Sequence, residues 1–501
     1  MCPKQRKYCH LNHTVFIYAF NFGKRRKRNE KTTFFDDNKL FGRDNVVRKY
    51  GKPELISVYN DGICSTDFST GYVFLLDNGK YRMLYFGHSN KFYGKKLFSA
   101  ISEDGVNFFP EKLCGSEAGF HKMYPHEIMD IPGEVAFIYE DRHSQNAGER
   151  YKLLMSDHGL MGKELRVNDT IYVSPDLINW NLKENVYWGD GTEPLASVFY
   201  NKHKNVHTIL ERPFWGIRCV GYKETSDWDN FTEYQVCLNV DSNDERLSEI
   251  YGMYAFEYDG LYIGIPHIYR HLNSEFNAKY KNGIIDTQLA YSYDGRYWQR
   301  SLREPFISGV DSKPEDPDVA HNLVWVSDVQ IHDETVYFYA SASELEHGPA
   351  FSEPGTGKIL IYKMRRDGFI SLSTQDKEKT SSVATREKVW LGGEVHLNIK
   401  AKNATVAIYV SDESEMVEGN ALGIAKPING YGHEDCIAFS GDSVDWVPRY
   451  GSGRKIEDLS GKTVVFEVRF EDGEVFSLSG DYIDVYNTQA VRYRKLGVLP
   501  D

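Results

Sequence analysis

A short phrase, a polar turn closed by an aromatic residue, recurs along the first three quarters of this chain. The copies are SEDGVNFF (102–109), SPDLINW (174–180), TSDWDNF (225–231), SYDGRYW (292–298) and a degenerate RRDGFI (365–370). Their spacing of roughly 50 to 75 residues is too long for a helical solenoid and suits four-stranded blades with loops of variable length. Each copy predicts a tight turn in which Ser, Thr and Asp bond to turn amides, Gly takes a positive φ, and the aromatic residue tucks under the next blade.

A second pattern repeats in phase with the first. Upstream of each phrase stands a pair of apolar, aromatic-rich segments joined by a turn rich in Gly, Pro, Asn and Asp, as a β-hairpin requires. The pairs are YVFLLDNGKYRMLYFG (72–87), EIMDIPGEVAFIYED (127–141), SVFYNKHKNVHTIL (197–210), YAFEYDGLYIGIPHIY (254–269) and DVQIHDETVYFYASAS (328–343). The two patterns together predict an all-β chain with a five-bladed β-propeller over residues 46–375. The alternative is an irregular β-sandwich whose turns coincide by chance.

The last quarter of the chain has a different pattern. Residues 371–388 are polar and rich in breakers, which is typical of a linker. Beyond them, residues 393–410 and 462–478 alternate apolar and polar side chains with period two, as half-buried antiparallel strands do. We therefore expect a C-terminal β-sandwich over residues 385–499 that braces the propeller, with glycan binding as the minority interpretation.

The N-terminus differs from the rest of the chain in charge. The first 50 residues hold 13 Lys and Arg against 4 Asp and Glu, whereas the whole chain has a formal net charge of −13. The apolar stretch 14–23 resembles a signal peptide, but the basic cluster KRRKR (24–28) stands where a small-residue cleavage site belongs. We expect residues 1–45 to be a basic, disordered tail and the protein to be cytoplasmic. The acidic body argues against nucleic-acid binding through the basic cluster.

Composition limits the remaining classes. The 7 cysteines are scattered and lack metal-ligand spacing, which favours a reducing compartment and no metal or other cofactor. No run approaches the roughly 20 apolar residues of a membrane span, so we expect no membrane partner. The 14% of aromatic residues suits both β-sheets and sugar-binding surfaces.

Acidic residues stand near the start of several predicted blades, where innermost strands converge on the propeller axis. They are Asp67, Glu127, Asp190, Glu193, Glu249 and Asp328. Any one of them taken alone is more simply a solvated carboxylate. Acids at the same phase of successive blades would face one another across a funnel, where repulsion and burial split their pKa values and let one act as an acid while another stays ionised.

Three of these acids carry a family resemblance. Glu249 before a hydrophobic strand and an Asp-Gly turn resembles the acid-bearing strand of the five-bladed glycoside hydrolases of the family 43 and family 32 clans. Asp190 resembles the auxiliary Asp of those clans, and Asp67 resembles their first-blade Asp. The order of the three and the terminal β-sandwich match the two-domain plan. The Asp-Pro that often follows the acids of those clans is absent, and Glu193 before Pro194 is an alternative counterpart of Asp190.

The resemblance implies cleavage of glycosidic bonds by paired carboxylates. In this scheme Glu249 protonates the leaving oxygen, Asp67 acts as general base or nucleophile, and Asp190 orients the sugar and tunes the acid. The substrate would be an oligosaccharide or polysaccharide, with Glu127, Glu193 and Asp328 as further contacts.

Other residues near the acids are candidates for sugar binding. Arg212 and Arg218 are suited to bind sugar hydroxyls or a sugar carboxylate, or else to pair with blade acids. The aromatic residues Trp188, Trp215 and Tyr251 are suited to stack on a sugar face, or else to pack in the core.

Three classes of function remain open. The first is a glycoside hydrolase, or a related phosphorylase recognised by a basic phosphate pocket beside the funnel. The second is a sialidase-like enzyme, because the repeated turns resemble Asp boxes, although the count is five and no arginine triad is legible. The third is a non-catalytic glycan-binding propeller.

Overall fold

The computed structural model describes residues 30–63, 71–90, 93–113, 124–131, 134–156, 169–189, 193–212, 218–271, 283–309, 322–347, 357–410 and 426–485. Throughout this part of the chain the structure is built from β-strands, with short 3-10 turns such as Ala147–Glu149 and Ile456–Leu459. The all-β prediction is confirmed. A search of the described helices found none long and apolar enough to cross a membrane.

Before the first blade the chain supplies four strands, namely β1 (Glu30–Thr33), β2 (Leu40–Asp44), β3 (Val46–Tyr50) and β4 (Glu54–Tyr59). The first two blades follow and comprise β5 (Tyr72–Leu75), β6 (Tyr81–Asn90), β7 (Tyr93–Ser102), β8 (Phe109–Pro110) and β9 (Glu127–Asp130), then β10 (Glu134–Glu140), β11 (Tyr151–Ser156), β12 (Asp169–Ser174) and β13 (Asn181–Gly189). In each blade the strands are hydrogen-bonded in chain order, β5 to β8 and β10 to β13.

The third blade comprises β14 (Glu193–Asn201), β15 (Val206–Arg212), β16 (Val220–Thr225) and β17 (Gln235–Leu238). The fourth comprises β18 (Ser248–Tyr258), β19 (Leu261–His271), β20 (Gly283–Thr287) and β21 (Ala290–Ser292), and the fifth contains β22 (Leu323–His332), β23 (Thr335–Ser343) and β24 (Gly357–Arg365). The described strands thus form the five blades predicted from the repeats.

The ring is closed by the N-terminal segment. Strand β4 pairs antiparallel with β24, from Ile359 opposite Tyr59 to Lys363 opposite Glu54, and so becomes the fourth strand of blade five. Strand β5 of blade one comes next along the chain. Blade five is therefore completed by a strand that precedes blade one, and the continuous chain from β4 to β5 links the two blades.

Four of the repeated turns have the predicted hydrogen bonds. In the first, the Oγ atom of Ser102 accepts from the amide of Gly105 at 3.0 Å, and Oδ1 of Asp104 accepts from the amides of Val106 and Asn107 at 2.8 Å. The residue at the Gly position has a positive φ in every one of the four, including two that are not glycine: Gly105, Leu177, Trp228 and Gly295. The turn geometry is thus set by the Ser/Thr and Asp side chains more than by glycine.

These turns contact the preceding blade, and the prediction that they pack under the next blade is wrong. Tyr339 of blade five donates to the carbonyl oxygen of Gly105 in blade one at 2.8 Å. Asn201 of blade three donates likewise to the carbonyl oxygen of Asp294 in blade four at 2.8 Å. These two turns therefore connect their own blade to the blade before it.

The fifth copy of the phrase has a different structure. Its positive φ lies at Asp367, one residue earlier than in the other copies, and the chain passes directly from β24 into the C-terminal sheet. Asp367 is buried at 6% exposure and accepts hydrogen bonds from Lys31 at 2.8 Å, from the Tyr258 hydroxyl and from Ser477 at 2.5 Å. This carboxylate joins the N-terminal segment, blade four and the C-terminal sheet.

The C-terminal unit comprises β25 (Ile370–Thr374), β26 (Ser381–Thr385), β27 (Lys388–Val410), β28 (Phe439–Trp446) and β29 (Thr463–Asp484). Together with β1, β2 and β3 its described strands form one eight-stranded sheet. The sheet is strongly curled, since Val389 pairs with both Thr463 and Ile483. The predicted linker contributes β25 and β26, and the predicted disordered tail contributes β1 and β2, because both segments complete hydrogen bonding along β29 and its neighbours.

Inside the propeller, Asp328 links the innermost strands of three blades. Its Oδ2 atom accepts from the amide of Val73 in blade one at 2.7 Å, and its Oδ1 atom accepts from the hydroxyl of Tyr254 in blade four at 3.0 Å. The amide of Val329 and the Gln330 side chain complete the set. Burial nevertheless raises the pKa of this carboxyl to about 6.

We expect Asp328→Asn to destabilise the fold by about 1–3 kcal/mol, because an amide group would face two of these donors. A raised folded-state pKa means that this carboxyl stabilises the fold most below its unfolded pKa of about 3.9 and loses that contribution as the pH rises through about 6. The deficit of the variant should therefore grow as the pH falls from 7 to 4. Urea unfolding at several pH values measures both effects, with Asp333→Asn in the exposed turn of the same hairpin as control. Equal stability of the two variants would contradict the linking role.

A second prediction concerns the N-terminal strands. A chain that begins at Glu30 should unfold like the full chain, whereas one that begins at Gly51 loses the buried side chains Phe34, Phe35, Leu40, Val46 and Tyr50. At about 1.5–3 kcal/mol for each, that loss is comparable with the whole stability of a domain. Thermal unfolding followed by circular dichroism, with limited proteolysis, tests this. A cooperative transition at unchanged temperature in the shorter chain would refute it.

Candidate functional site

The candidate site lies where blades three and four present the start of their innermost strands. Glu249 is the second residue of β18 and pairs in register with Tyr269 of β19. Arg212 ends β15 and pairs with Glu193 at the start of β14. Arg218 is adjacent to β16, and its carbonyl oxygen accepts from the amide of Ile250 at 3.3 Å. These residues share the end of the blades opposite to the repeated turns.

Glu249 is held by two basic side chains. Its Oε2 atom accepts from Nη1 of Arg218 and lies 2.9 Å from Nε2 of His271. Its Oε1 atom has a long contact of 3.5 Å with the amide of Arg218. The side chains of Glu249 and Arg218 are 20% and 19% exposed, so the pair is partly open to solvent. One carboxylate oxygen is thus anchored and the other is only weakly engaged.

The surroundings of Glu249 favour its ionised form. Burial by itself raises the pKa of this carboxyl, but the charge of Arg218 and the hydrogen bonds from His271 and Arg218 outweigh it and hold the pKa below its usual value. A general acid at neutral pH needs the opposite shift. The ion pair therefore suits a base, a nucleophile or a charge stabiliser better than a proton donor.

An aromatic group packs behind this carboxylate. Tyr251 and Tyr269 are almost completely buried, at 2% and 0% exposure. The Tyr251 hydroxyl lies 2.6 Å from Nε2 of His347, and the Arg212 guanidinium lies 4.2 Å from the centre of the Tyr251 ring. The predicted role of Tyr251 as a sugar platform is not supported, because its ring already packs against an arginine.

Three other predicted contacts are buried in structural roles. Trp188 is 1% exposed and donates its indole N–H to the carbonyl oxygen of Met155 at 3.2 Å, so its ring is part of the core and not a sugar platform. Glu127 belongs to β9, which pairs with β7 on the outer side of blade one, and it is bound by Lys96 at 2.6 Å. Both carboxylate oxygens of Asp328 already accept hydrogen bonds from donors on the inner strands. Hydrophobic periodicity in the sequence shows that a segment is a strand, but it does not show whether that strand is innermost or outermost in its blade.

The structure brings together Glu249, Arg212, Arg218 and Tyr251 from the predicted set. Asp67, Asp190 and Trp215 lie outside the described residues, and Glu193 is described by its backbone alone. Convergence of Asp67, Asp190 and Glu249 on one pocket therefore stays a prediction.

Sequence reasoning missed His271, Tyr269 and His347. The hairpin turn at Asp259–Gly260 gives a local signal for the first two, because counting from it brings residues near 270 opposite Glu249. A β-bulge between Ile250 and Gly252 shifts the register by one residue, so Tyr269 pairs with Glu249 and His271 lies at the same end of the blade. His347 follows β23 in blade five and has no such local signal.

Below the site the propeller axis is filled by side chains from all five blades. A cavity of about 10 Å³ remains, lined among others by Tyr72, Phe137, Ala196, Tyr254, His267 and Trp325. This volume is at most that of one water molecule. Burial lowers the pKa of His267 to about 3, and its Nε2 atom lies 3.0 Å from the carbonyl oxygen of Val326, so the ring is neutral.

Among the described residues, no group of three or more His, Cys, Asp or Glu side chains is arranged to hold a metal ion. The expected absence of a metal or cofactor remains a prediction for the whole chain.

No family model and no curated protein matches this chain. A glycosyl hydrolase from Bacteroides ovatus matches 63% of this chain and 94% of its own at 14% identity and a TM-score of 0.38. An N-acetylgalactosamine deacetylase from F. plautii, in complex with blood group B trisaccharide, matches 65% and 97% at 12% identity and a TM-score of 0.41. A structure described with the glycoside hydrolase family 130 of mannoside phosphorylases matches 62% and 94% at 14% identity and a TM-score of 0.37. Likenesses of this size do not show a shared function, and the resemblance to the family 43 and 32 clans remains a prediction.

Removing Arg218 should reveal the electrostatics of Glu249. In Arg218→Met, burial would dominate and raise the pKa of Glu249, so we expect a loss of roughly 1–3 kcal/mol at pH 7. The natural chain, with its lowered folded-state pKa, keeps its contribution down to the unfolded value of about 4.3 and loses it as the pH falls further through the folded value. In the variant the raised pKa lets protonation of Glu249 relieve the penalty as the pH falls, so the difference between the two chains should shrink between pH 7 and pH 4.

Denaturant unfolding across this pH range measures the change. The control is Arg449→Met, which breaks the exposed pair with Glu394 and should cost little at any pH. A deficit in Arg218→Met that does not vary with pH would show that the ion pair does not set the ionisation of Glu249.

Proposed function

We propose that this protein cleaves glycosidic bonds with carboxylates at the mouth of the propeller. The observation that carries the proposal is a partly exposed, ionised Glu249 at the start of an innermost strand, with Arg218 and His271 fixing one oxygen. A rigid carboxylate at a water-accessible mouth is what glycoside cleavage requires for stabilising positive charge on the sugar. The second carboxylate is expected among Asp67, Asp190 and Glu193.

The role of Glu249 distinguishes two versions of the mechanism. The family resemblance assigns it the proton donor, whereas its ion pair favours an anion that acts as base or nucleophile. In the second version the proton donor is one of the other blade-start acids. Both versions need two carboxyl groups within roughly 5–10 Å of each other.

Glu249→Gln separates these versions by its dependence on the leaving group. If Glu249 donates the proton, natural glycosides should lose about 10²- to 10⁴-fold in kcat/KM and dinitrophenyl glycosides much less. If it acts as an anion, as the ion pair favours, both substrate types should lose activity to a similar degree. Rates on a panel of nitrophenyl, dinitrophenyl and oligosaccharide substrates give the comparison. Asp67→Asn, assigned as base or nucleophile, should depress both types in either version.

The matched control is Glu257→Gln, at the far end of the same strand, where Glu257 pairs with Lys202 at 2.8 Å. It should retain activity. Full activity in both Glu249→Gln and Asp67→Asn would refute the assignment of these two carboxylates. Binding of glycans without turnover in the natural chain would support a glycan-binding propeller in place of the enzyme.

A phosphorylase is the second candidate, favoured by the arginines beside Glu249. In that reaction phosphate takes the place of water, and the product is a sugar phosphate. Analysis of products formed with and without inorganic phosphate distinguishes the two enzymes.

A further inference from the structure

Arg218 has more hydrogen-bond donors than Glu249 uses. Only Nη1 and the backbone amide of Arg218 engage the carboxylate. Within the described part of the chain, the Nε and Nη2 atoms of Arg218 have no hydrogen-bond partner, and the side chain is 19% exposed. The Nε–Nη2 edge of a guanidinium is one of the edges that bind planar oxyanions through two parallel bonds.

Two arginines with structural roles, Arg82 and Arg296, use that edge themselves. Arg82 donates from Nε and Nη2 to the two oxygens of Glu111, both at 2.8 Å, and from Nη1 to the carbonyl oxygen of Asp176 at 3.0 Å. Arg296 makes the same two-pronged contact with Glu224. Arg218 differs from both, because it contacts its carboxylate through one terminal nitrogen and keeps the two-donor edge unused.

The guanidinium of Arg218 is also held in place before any ligand arrives. Its central carbon lies 5.0 Å from the centre of the Tyr269 ring and 5.6 Å from that of Tyr251. Both rings are buried, and the Tyr251 hydroxyl is close to His347. Cation–π contacts of this kind orient the group and reduce the entropy lost on binding.

We propose that Arg218, with Arg212 and His271 beside it, forms an oxyanion subsite of the glycan site. The ligand is a carboxylate on an acidic sugar or inorganic phosphate, since both present two oxygens to a guanidinium edge. The role of the subsite in catalysis rests on the proposed function, whereas anion binding itself does not. The direct contacts of the Glu249 carboxylate are one guanidinium, that of Arg218, and one imidazole, that of His271, in a protein whose formal net charge is −13. The Arg212 guanidinium lies behind them, 4.2 Å from the centre of the Tyr251 ring. A body of that charge disfavours non-specific anion binding, so anion binding that depends on Arg218 reports a local site.

The test is the thermal unfolding of the full chain in inorganic phosphate, D-galacturonate and neutral D-galactose, with ionic strength held constant by sodium chloride. Phosphate or galacturonate should raise the midpoint above that in chloride alone. In Arg218→Met the apparent affinity should fall at least 10-fold, and Arg218→Lys should retain part of it. Arg449→Met, in the C-terminal sheet, should respond like the natural chain.

The outcomes separate the two ligands and the two proposals. A response to phosphate with release of a sugar phosphate from glycosides identifies phosphate, and a response to galacturonate with cleavage of uronic-acid glycosides identifies the acidic sugar. No response beyond chloride, or an equal response in Arg218→Met, overturns the subsite even if neutral glycosides are cleaved. Anion binding that depends on Arg218, without any glycoside cleavage, supports the subsite and refutes the proposed reaction.

Discussion

The pairing of β4 with β24 is the constraint on which the rest of the structure depends. A propeller blade has two faces to cover, and only a closed ring gives every blade two neighbours. Here closure depends on a strand that precedes blade one, so the N-terminal segment must reach blade five before the ring is complete. The same segment first supplies β1, β2 and β3 to the C-terminal sheet. The two parts of the chain therefore share one strand-forming segment and depend on each other for folding.

The two ends of the blades differ in the contacts they make. At one end the repeated turns connect neighbouring blades, and Asp367 joins blade four to the C-terminal sheet. At the other end the side chains of Glu249, Arg218 and His271 are only partly exposed, and the cost of burying them is offset by charge pairing. Concentrating the tight contacts at one end leaves the other free to hold charged groups that a compact core would exclude.

Much of the fold could be predicted from the sequence because it depends on local patterns. The blade count follows from turn residues and hairpin spacing, and the positive φ at Leu177 and Trp228 shows that the Ser/Thr and Asp side chains carry that signal even without glycine. What could not be predicted is pairing between distant segments. Nothing local in residues 30–45 shows that they complete a sheet with residues near 480, and nothing local in residues 127–130 shows that they extend blade one.

The candidate site could be predicted only in part, because some of its residues follow from local patterns and others come from distant segments. Counting along a hairpin leads from Glu249 to residues near 270, but a β-bulge between Ile250 and Gly252 makes Tyr269 the partner, and His347 comes from another blade. Burial also cannot be judged from residue type alone, so for Trp188 and Tyr251 the sequence left sugar binding and core packing open, and the structure shows that both pack in the interior. The contrast between Arg218 and Arg82 extends this point. Both are arginines beside a glutamate on a β-sheet, and only the geometry shows that one uses its two-donor edge for the fold while the other presents it at the mouth.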